Sequence, residues 1–180
     1  MKKIMIASLI LSFLCGCSDS GTKNIQNKYT VESNSTYHFK DMSFTVCKGW
    51  VIDYSDNEKL TIEANGGELN IGTRNESVNQ AILYFDRQHA KDEGMGLPES
   101  DGYIDVEIGG QPAKWGSYGY NDALNSESDN TGLKRADVVG LVPYNNQVYY
   151  LSHSISFFDR KAAEEPLKEF EVFDKSISFK

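Results

Sequence analysis

Short runs of alternating apolar and polar residues, joined by tight turns, constrain the fold of this chain more than any other feature. The paired runs are residues 37–40 with 43–47, 60–63 with 68–71, 103–108 with 113–120, and 137–142 with 147–158, the last pair turning at residues 143–146. Asn65-Gly66-Gly67 and Gly109-Gly110 supply the backbone freedom that a tight hairpin turn requires. A period of two places one side of each run against a core. The pattern therefore predicts an antiparallel sheet built from hairpins.

Two further segments have the period of an amphipathic helix. Ser77 is a good N-cap for the first, which is expected to run to about Glu93 before Gly94 and Gly96 end it. Its apolar stripe consists of Val78, Ala81, Ile82, Phe85 and His89. We expect this stripe to pack on the sheet.

The second helical segment follows Asp159 and is predicted in two pieces. Pro166 disturbs a helix interior but fits a first turn, so a break is expected before it. Leu167, Phe170 and Phe173 mark the buried face, and residues 176–179 form a short last strand. Strands early and late, with helices between and after them, predict an α+β fold with a central antiparallel β-sheet flanked by helices.

The N-terminus has the order of a secretory signal peptide. Met1-Lys2-Lys3 supplies positive charge, residues 4–14 are apolar apart from two serines, and small residues follow. The apolar run is shorter than the roughly 20 residues that span a bilayer. Residues 1–16 are therefore predicted to be a cleaved signal peptide. Residues 17–36 are polar after the first Cys and lack an apolar period, which predicts a flexible tether before a domain at 37–180.

Leu14-Cys15-Gly16-Cys17 resembles the lipobox of bacterial lipoproteins. The resemblance implies that Cys17 is lipidated and becomes the mature N-terminus. Ser18, in place of Asp, resembles an outer-membrane sorting signal. The implied location is the cell envelope, with the protein lipid-anchored at the outer membrane and facing the periplasm.

The cysteine count leaves one thiol in the folded domain. Of three Cys, Cys15 leaves with the signal peptide and Cys17 carries lipid, so Cys47 has no partner for an internal disulfide. A lone thiol in an oxidising compartment is usually buried. The alternatives are a reactive thiol and an intermolecular disulfide.

The charge balance is acidic. The chain has 18 Lys and Arg against 26 Asp and Glu, a net charge of −8, and removal of Lys2 and Lys3 leaves 16 against 26. Such a domain repels nucleic acid and anionic lipid headgroups. It favours a basic protein partner, although net negative charge also serves solubility alone.

Several segments together resemble the Mog1/PsbP-like superfamily. The resemblance rests on an early strand ending in Lys48-Gly49-Trp50, a turn at Gly110-Gln111-Pro112-Ala113, the aromatic strand around Tyr149-Tyr150, the helix with Phe170 and Phe173, and the last strand. Cys47 stands where that family has Pro. The resemblance covers residues 37–180 and implies an α/β/α sandwich. It also implies a binding, accessory or chaperone-like role, but transfers no chemistry.

Sequence motifs for catalysis or for a cofactor are missing. His38, His89 and His153 lack a second ligand at zinc spacing, and each is expected to be a satisfied structural histidine. Gly116-Ser117-Tyr118-Gly119 lacks the spacing of a serine nucleophile motif, and no phosphate-binding loop occurs. The prediction is therefore no catalytic residue, no metal and no cofactor.

The acidic loop at residues 121–132 is the best candidate for a protein contact. Long loops in compact domains are often functional, and this one carries Asp122, Glu127 and Asp129. Trp115 and Tyr118 precede it and are included in the candidate surface. A calcium site is the alternative, but the ligand order of an EF-hand is absent. Trp50 and Trp115 are expected in the core, with a ligand cleft between sheet and helix as the alternative.

These observations predict a non-enzymatic binding or accessory role toward a protein or small ligand. An immunity or inhibitor protein that neutralises a basic toxin or hydrolase in the periplasm is the main alternative, because opposite charges speed encounter. A third hypothesis is an enzyme that uses His153 with an acidic partner distant in sequence.

Overall fold

The computed structural model describes residues 28–53, 58–64, 67–91, 100–118, 134–157 and 160–180. The strands are β1 (Lys28–Thr30), β2 (Ser35–Phe39), β3 (Met42–Val46), β4 (Val51–Asp53), β5 (Lys59–Ala64), β6 (Gly67–Arg74), β7 (Ser100–Ile108), β8 (Gln111–Tyr118), β9 (Lys134–Tyr144), β10 (Gln147–Phe157) and β11 (Ser178–Phe179). The helices of this part of the chain are α1 (Val78–Lys91) and α2 (Arg160–Ser176).

A large antiparallel sheet forms the centre of the molecule. Its eight strands lie in the order β1-β4-β5-β6-β10-β9-β8-β7, and every neighbouring pair is antiparallel. The predicted hairpins β5-β6, β7-β8 and β9-β10 are adjacent in this order. The predicted pair β2-β3 forms a separate three-stranded sheet with β11. The antiparallel sheet and the α+β class are thus confirmed.

The sheet separates two apolar clusters. Alternate residues of the central strands, such as Leu151 and Ile155, join the larger cluster with the three-stranded sheet and α2. Side chains on the other face of the sheet, such as those of Val148 and Val139, join a smaller cluster with Ala81 of α1. Because side chains alternate across a strand, the two helices pack on opposite faces.

The β9-β10 turn is tighter than its sequence suggests. Asn145 and Asn146 have φ angles of 48° and 60°, the positive pair that a two-residue hairpin turn needs. Pro143 lies inside β9 rather than in the turn. Since β8 pairs with β9 only as far as Leu141, the missing N–H of Pro143 costs no bond to β8.

The predicted break in the second helix is wrong. α2 is a single helix with Pro166 inside it. Proline removes a helical hydrogen bond, but the packing of an apolar face contributes more to helix stability than local preference does. Pro166, Phe170 and Phe173 are all buried on this face, so tertiary contacts hold the helix through the proline.

The predicted tether is too long at its C-terminal end. Lys28–Thr30 pairs with β4, and Val31, at 2% exposure, lies in the main apolar cluster. The N–H of Val31 donates to the carbonyl of Trp50 at 2.8 Å. The fold therefore includes residues 28–36. The signal peptide, Cys17 and the remainder of the tether lie outside the described residues.

Val31→Ala tests whether this segment belongs to the folded domain. Because the substitution removes buried apolar surface, we expect the free energy of unfolding in urea to fall by about 1–3 kcal/mol. Glu32→Ala, at the exposed neighbouring position, is the control and should change it by less than about 0.5 kcal/mol. Equal stability of the two variants would contradict the assignment of residues 28–36 to the fold.

A candidate ligand cavity between the sheet and the second helix

A cavity of about 380 Å³ lies between α2 and the face of the sheet formed by β8, β9 and β10. Its lining is Trp115, Val138, His153, Ile155, Glu164, Leu167, Lys168, Phe170, Glu171 and Asp174. The volume is within the range of small-molecule sites, which are concave and mostly apolar with a few polar groups. It is therefore our candidate functional site.

Strand and helix periodicity bring these side chains together. His153 and Ile155 share one face of β10 because they are two residues apart. On α2, Leu167, Phe170 and Asp174 follow the three- and four-residue spacing of one helix face. Local periodicity thus decides which face of its strand or helix each side chain occupies. Whether the two sets of side chains come into contact depends on how α2 lies on the sheet.

His153 is packed between aromatic rings. Its ring centroid lies 4.5 Å from that of Phe170, edge-on at 69°, and 6.0 Å from that of Trp115. Such edge-to-face contacts are favourable and fix ring orientation. The imidazole is therefore a rigid part of the cavity wall.

The polar atoms of His153 are not satisfied. The residue is 2% exposed, and neither Nδ1 nor Nε2 has a hydrogen-bond partner among the described residues. Nε2 lies 3.1 Å from Oδ1 of Asp174, yet the alignment of the two groups falls short of a hydrogen bond, and that oxygen is also buried without a partner. The prediction of a satisfied structural histidine is wrong at this position. An unsatisfied buried polar group costs about 1–3 kcal/mol, and in a native structure it needs an explanation.

Charged side chains surround the mouth of the cavity. Glu164, Lys168 and Glu171 are exposed on α2, and the side chain of Asp174 is 22% exposed. A hydrogen bond from Lys175, together with its charge, holds the pKa of Glu171 below its usual value. Two exposed carboxylates, those of Glu164 and Glu171, thus lie around the opening with one lysine, Lys168, among the described lining residues.

His89, on the opposite face of the sheet, behaves differently. Its Nδ1 donates to the carbonyl of Phe85 at 2.8 Å, and its ring stacks on Tyr118 at 3.6 Å between centroids. Nε2 lies 3.4 Å from Oδ2 of Asp137, which is fully buried. His89 is thus a structural histidine, as predicted, whereas His38 is exposed on β2 and not a core residue.

Tyr118 is part of this opposite cluster. It is 1% exposed, its hydroxyl donates to Oδ1 of Asp86 at 2.8 Å, and it shares a hydrogen bond of 2.8 Å with the hydroxyl of Tyr103. Burial raises the pKa of Tyr118 strongly and raises that of Tyr103 to about 12. The predicted contact role of Tyr118 is therefore wrong, since its side chain does not reach the surface.

Trp115 and Trp50 have different roles. Trp50 is buried in the main cluster, and its Nε1 donates to Oε2 of Glu169 at 3.0 Å. Trp115 is only partly buried and lines the cavity, which is the alternative that the sequence left open.

Cys47 is half-buried rather than buried as expected. Desolvation raises the pKa of its thiol, and the negative charge of Glu169 raises it further.

A second, more polar depression of about 290 Å³ lies on the α1 side of the sheet. Polar groups in its lining are already bonded: Asn70 accepts from Thr61 at 2.9 Å and donates to Glu68 at 2.5 Å. Arg74 pairs with Glu76 and lies over the ring of Tyr84. No described residue in its lining is a buried polar group without a hydrogen-bond partner, and such groups distinguish the cavity under α2.

Other predicted positions lie outside the described residues. They are the lipidation site Cys17 and the loop residues Asp122, Glu127 and Asp129. Within the described part of the chain, no group of three or more His, Cys, Asp or Glu side chains is placed to hold a metal ion. Neither helix described there has the length and apolar character needed to cross a bilayer.

Comparison with solved structures identifies the fold. The chain is similar to the solution structure of a cyanobacterial PsbP from Synechocystis sp. PCC 6803, with a TM-score of 0.50 and 11% identity, covering 93% of this chain and 99% of that one. Weaker likenesses, which carry no argument, are a protein of Bacteroides thetaiotaomicron (TM-score 0.47, 11% identity, 83% and 49% covered) and LpqN of Mycobacterium tuberculosis, involved in cell envelope biogenesis (0.40, 13%, 87% and 86%). No protein-family model and no curated protein matches the chain. The PsbP-like architecture is thus shown at the level of the fold alone.

Two matched substitutions distinguish the two buried histidines. His153→Leu removes unsatisfied nitrogens and leaves Asp174 within reach of water, so we expect the free energy of unfolding to stay within about 1 kcal/mol of the parent or to rise. His89→Leu removes a satisfied hydrogen bond and leaves Asp137 buried beside an apolar side chain, so we expect a loss of about 2–4 kcal/mol. Urea denaturation followed by circular dichroism measures both. A large loss from His153→Leu would show that His153 is only a structural residue.

Proposed function

We propose that this chain is an envelope-anchored lipoprotein whose PsbP-like domain has a non-enzymatic binding or accessory role. The observation that carries the proposal is the cavity of about 380 Å³ under α2, with a buried, unsatisfied His153 in its wall. An apolar lining with a few polar groups is the usual composition of a ligand site. The ligand is held by burial of its apolar part and oriented by the polar wall.

A binding role fits the chemistry of the cavity better than catalysis does. Nε2 of His153 lies 3.1 Å from Oδ1 of Asp174, the distant acidic partner that the third hypothesis requires, but the two groups do not form the hydrogen bond that orients a general base. Neither serine nor cysteine is among the described residues that line the cavity. The lining therefore offers a recognition surface, with His153 as a polar contact for the ligand.

The envelope location rests on the lipobox at Leu14-Cys15-Gly16-Cys17. A lipid at Cys17 and a polar segment as far as residue 27 hold the domain away from the bilayer surface. Because Ser18 follows the Cys, we place the anchor in the outer membrane, with the domain in the periplasm. The acidic charge of the domain suits a position apart from anionic headgroups.

The lipid anchor is tested by substitution at two neighbouring cysteines. Cys17→Ser should move the protein from the membrane fraction to the soluble fraction, because no acyl chains are attached. Cys15→Ser is the matched control, since Cys15 leaves with the signal peptide, and it should remain in the membrane fraction. Immunoblotting after membrane separation measures both. If both variants remain in the membrane, lipidation at Cys17 is not the anchor.

The cavity is tested with an uncharged apolar dye. N-phenyl-1-naphthylamine, added to the chain from residue 17 onward with Cys17→Ser, should show saturable, blue-shifted fluorescence at one site. Leu167→Glu places a carboxylate in the cavity wall and should weaken dye binding at least about tenfold, because burying a charge beside an apolar ligand is costly.

Val172→Glu is the matched control for that experiment. It makes the same change on the same helix, at a side chain that is 56% exposed and does not line the cavity. Its dye affinity should equal that of the parent. No saturable binding, or an equal loss in both variants, would contradict the proposed site.

A further inference from the structure

The buried end of the cavity presents a carboxylate oxygen beside an imidazole. Nε2 of His153 lies 3.1 Å from Oδ1 of Asp174. Oδ1 of Asp174 is a carboxylate oxygen and accepts only. It is buried, as are both ring nitrogens of His153, and none of the three atoms has a hydrogen-bond partner among the described residues. A ligand that satisfies Asp174 must therefore donate a hydrogen bond.

The charged residues around the cavity favour a positively charged donor group on the ligand. Among the described residues, Glu164, Glu171 and Asp174 line the cavity with Lys168 as the single cation, and Glu171 also pairs with Lys175 outside the lining. An anionic head would face Asp174 in a partly desolvated site, where repulsion is poorly screened. A cationic head would instead compensate that carboxylate.

The aromatic walls favour the same kind of group. Trp115 and Phe170 both line the cavity and pack against His153, at 6.0 and 4.5 Å between ring centroids. The faces of such rings attract cations, most strongly for Trp. Aromatic and carboxylate groups converging on one cavity are therefore a recognition surface for an organic cation.

We propose that the ligand of this cavity is an organic cation with a primary ammonium group on an apolar stem. The ammonium donates to Oδ1 of Asp174, and the stem lies against Trp115 and Leu167. This inference deepens the proposed function and rests on it. A volume of about 380 Å³ suits a stem of one or two rings.

The test uses three naphthalene probes that differ only in the head group. They are 2-naphthylmethylammonium, 2-naphthalenemethanol and 2-naphthoate, each titrated into the dye complex of the chain from residue 17 onward with Cys17→Ser. The expected order of affinity is ammonium, then alcohol, then carboxylate, with the ammonium at least about tenfold tighter than the carboxylate. Displacement of N-phenyl-1-naphthylamine gives each dissociation constant.

Substitutions locate the preference in the cavity. Asp174→Asn keeps the shape of the side chain but removes its charge, so the ammonium should lose about tenfold in affinity and the alcohol little. Glu164→Gln should cost the ammonium about threefold, as an exposed charge does. Glu107→Gln makes the same change at an exposed position of β7 that does not line the cavity, and the affinity of every probe should stay unchanged. Circular dichroism and dye binding confirm that each variant is folded.

The primary ammonium group could belong to either of two kinds of ligand, a free amine or a lysine side chain of a basic protein. Acetyl-lysine amide, which has the same ammonium on an unbranched stem, distinguishes them. If it matches the naphthyl ammonium, the source is a protein lysine. If it binds at least about tenfold more weakly, the source is a free amine whose stem fills the apolar part.

The outcomes separate this inference from the proposed function. If the dye and all three probes fail to bind, the cavity is not a ligand site and both proposals fall. If the dye binds but the carboxylate equals or exceeds the ammonium, the binding role stands and the cation inference is overturned. An ammonium preference that survives Asp174→Asn would also overturn it, because the preference would then arise elsewhere.

Discussion

The register of β10 between β6 and β9 is the constraint on which the rest of the structure depends. Leu151 lies opposite Ile71 on one side and Gly140 on the other, at the centre of the sheet. This pairing directs His153 and Ile155 toward α2, and Val148 toward α1. A shift of one residue would exchange the two faces and place the cavity lining under the wrong helix. The turn at Asn145-Asn146 fixes the register because its positive φ angles allow only a short, tight loop.

The parts of the fold that were predictable from sequence are those with local signals. The hairpins carry both a period of two and turn residues, and α1 carries a capping residue: the N–H of Gln80 donates to Oγ of Ser77, and the Gln80 side chain accepts from Ser77 in return. Strand β1 lacks such signals because all three of its residues are exposed, and backbone pairing with β4 alone defines it. The continuity of α2 was equally unpredictable from sequence, because it depends on tertiary packing that outweighs the helix-breaking effect of Pro166.

The candidate site shows the same division. Alternation along β10 identified His153 as a core position beside Leu151 and Ile155, and the spacing on α2 identified Phe170 and Phe173 as buried. Asp174 follows Phe170 by one helical turn, which was the available signal for a polar group on that face. No local pattern specifies how far α2 slides along the sheet. The contact between His153 and Asp174 therefore depends on tertiary packing and could not be predicted from sequence periodicity.

The cavity stays open because aromatic contacts, chiefly those of Phe173 outside its lining, hold α2 in place. Phe173 packs against Phe44 at 5.2 Å and Trp50 at 6.2 Å between ring centroids, and Phe170 packs against Trp50 at 5.9 Å. The hydrogen bond from Trp50 to Glu169 ties the same helix to the core. With this side fixed, α2 cannot settle onto Trp115 and close the space, because movement would break the aromatic packing. A cavity formed in advance loses little entropy when a ligand binds, which is the condition under which an unsatisfied histidine is useful.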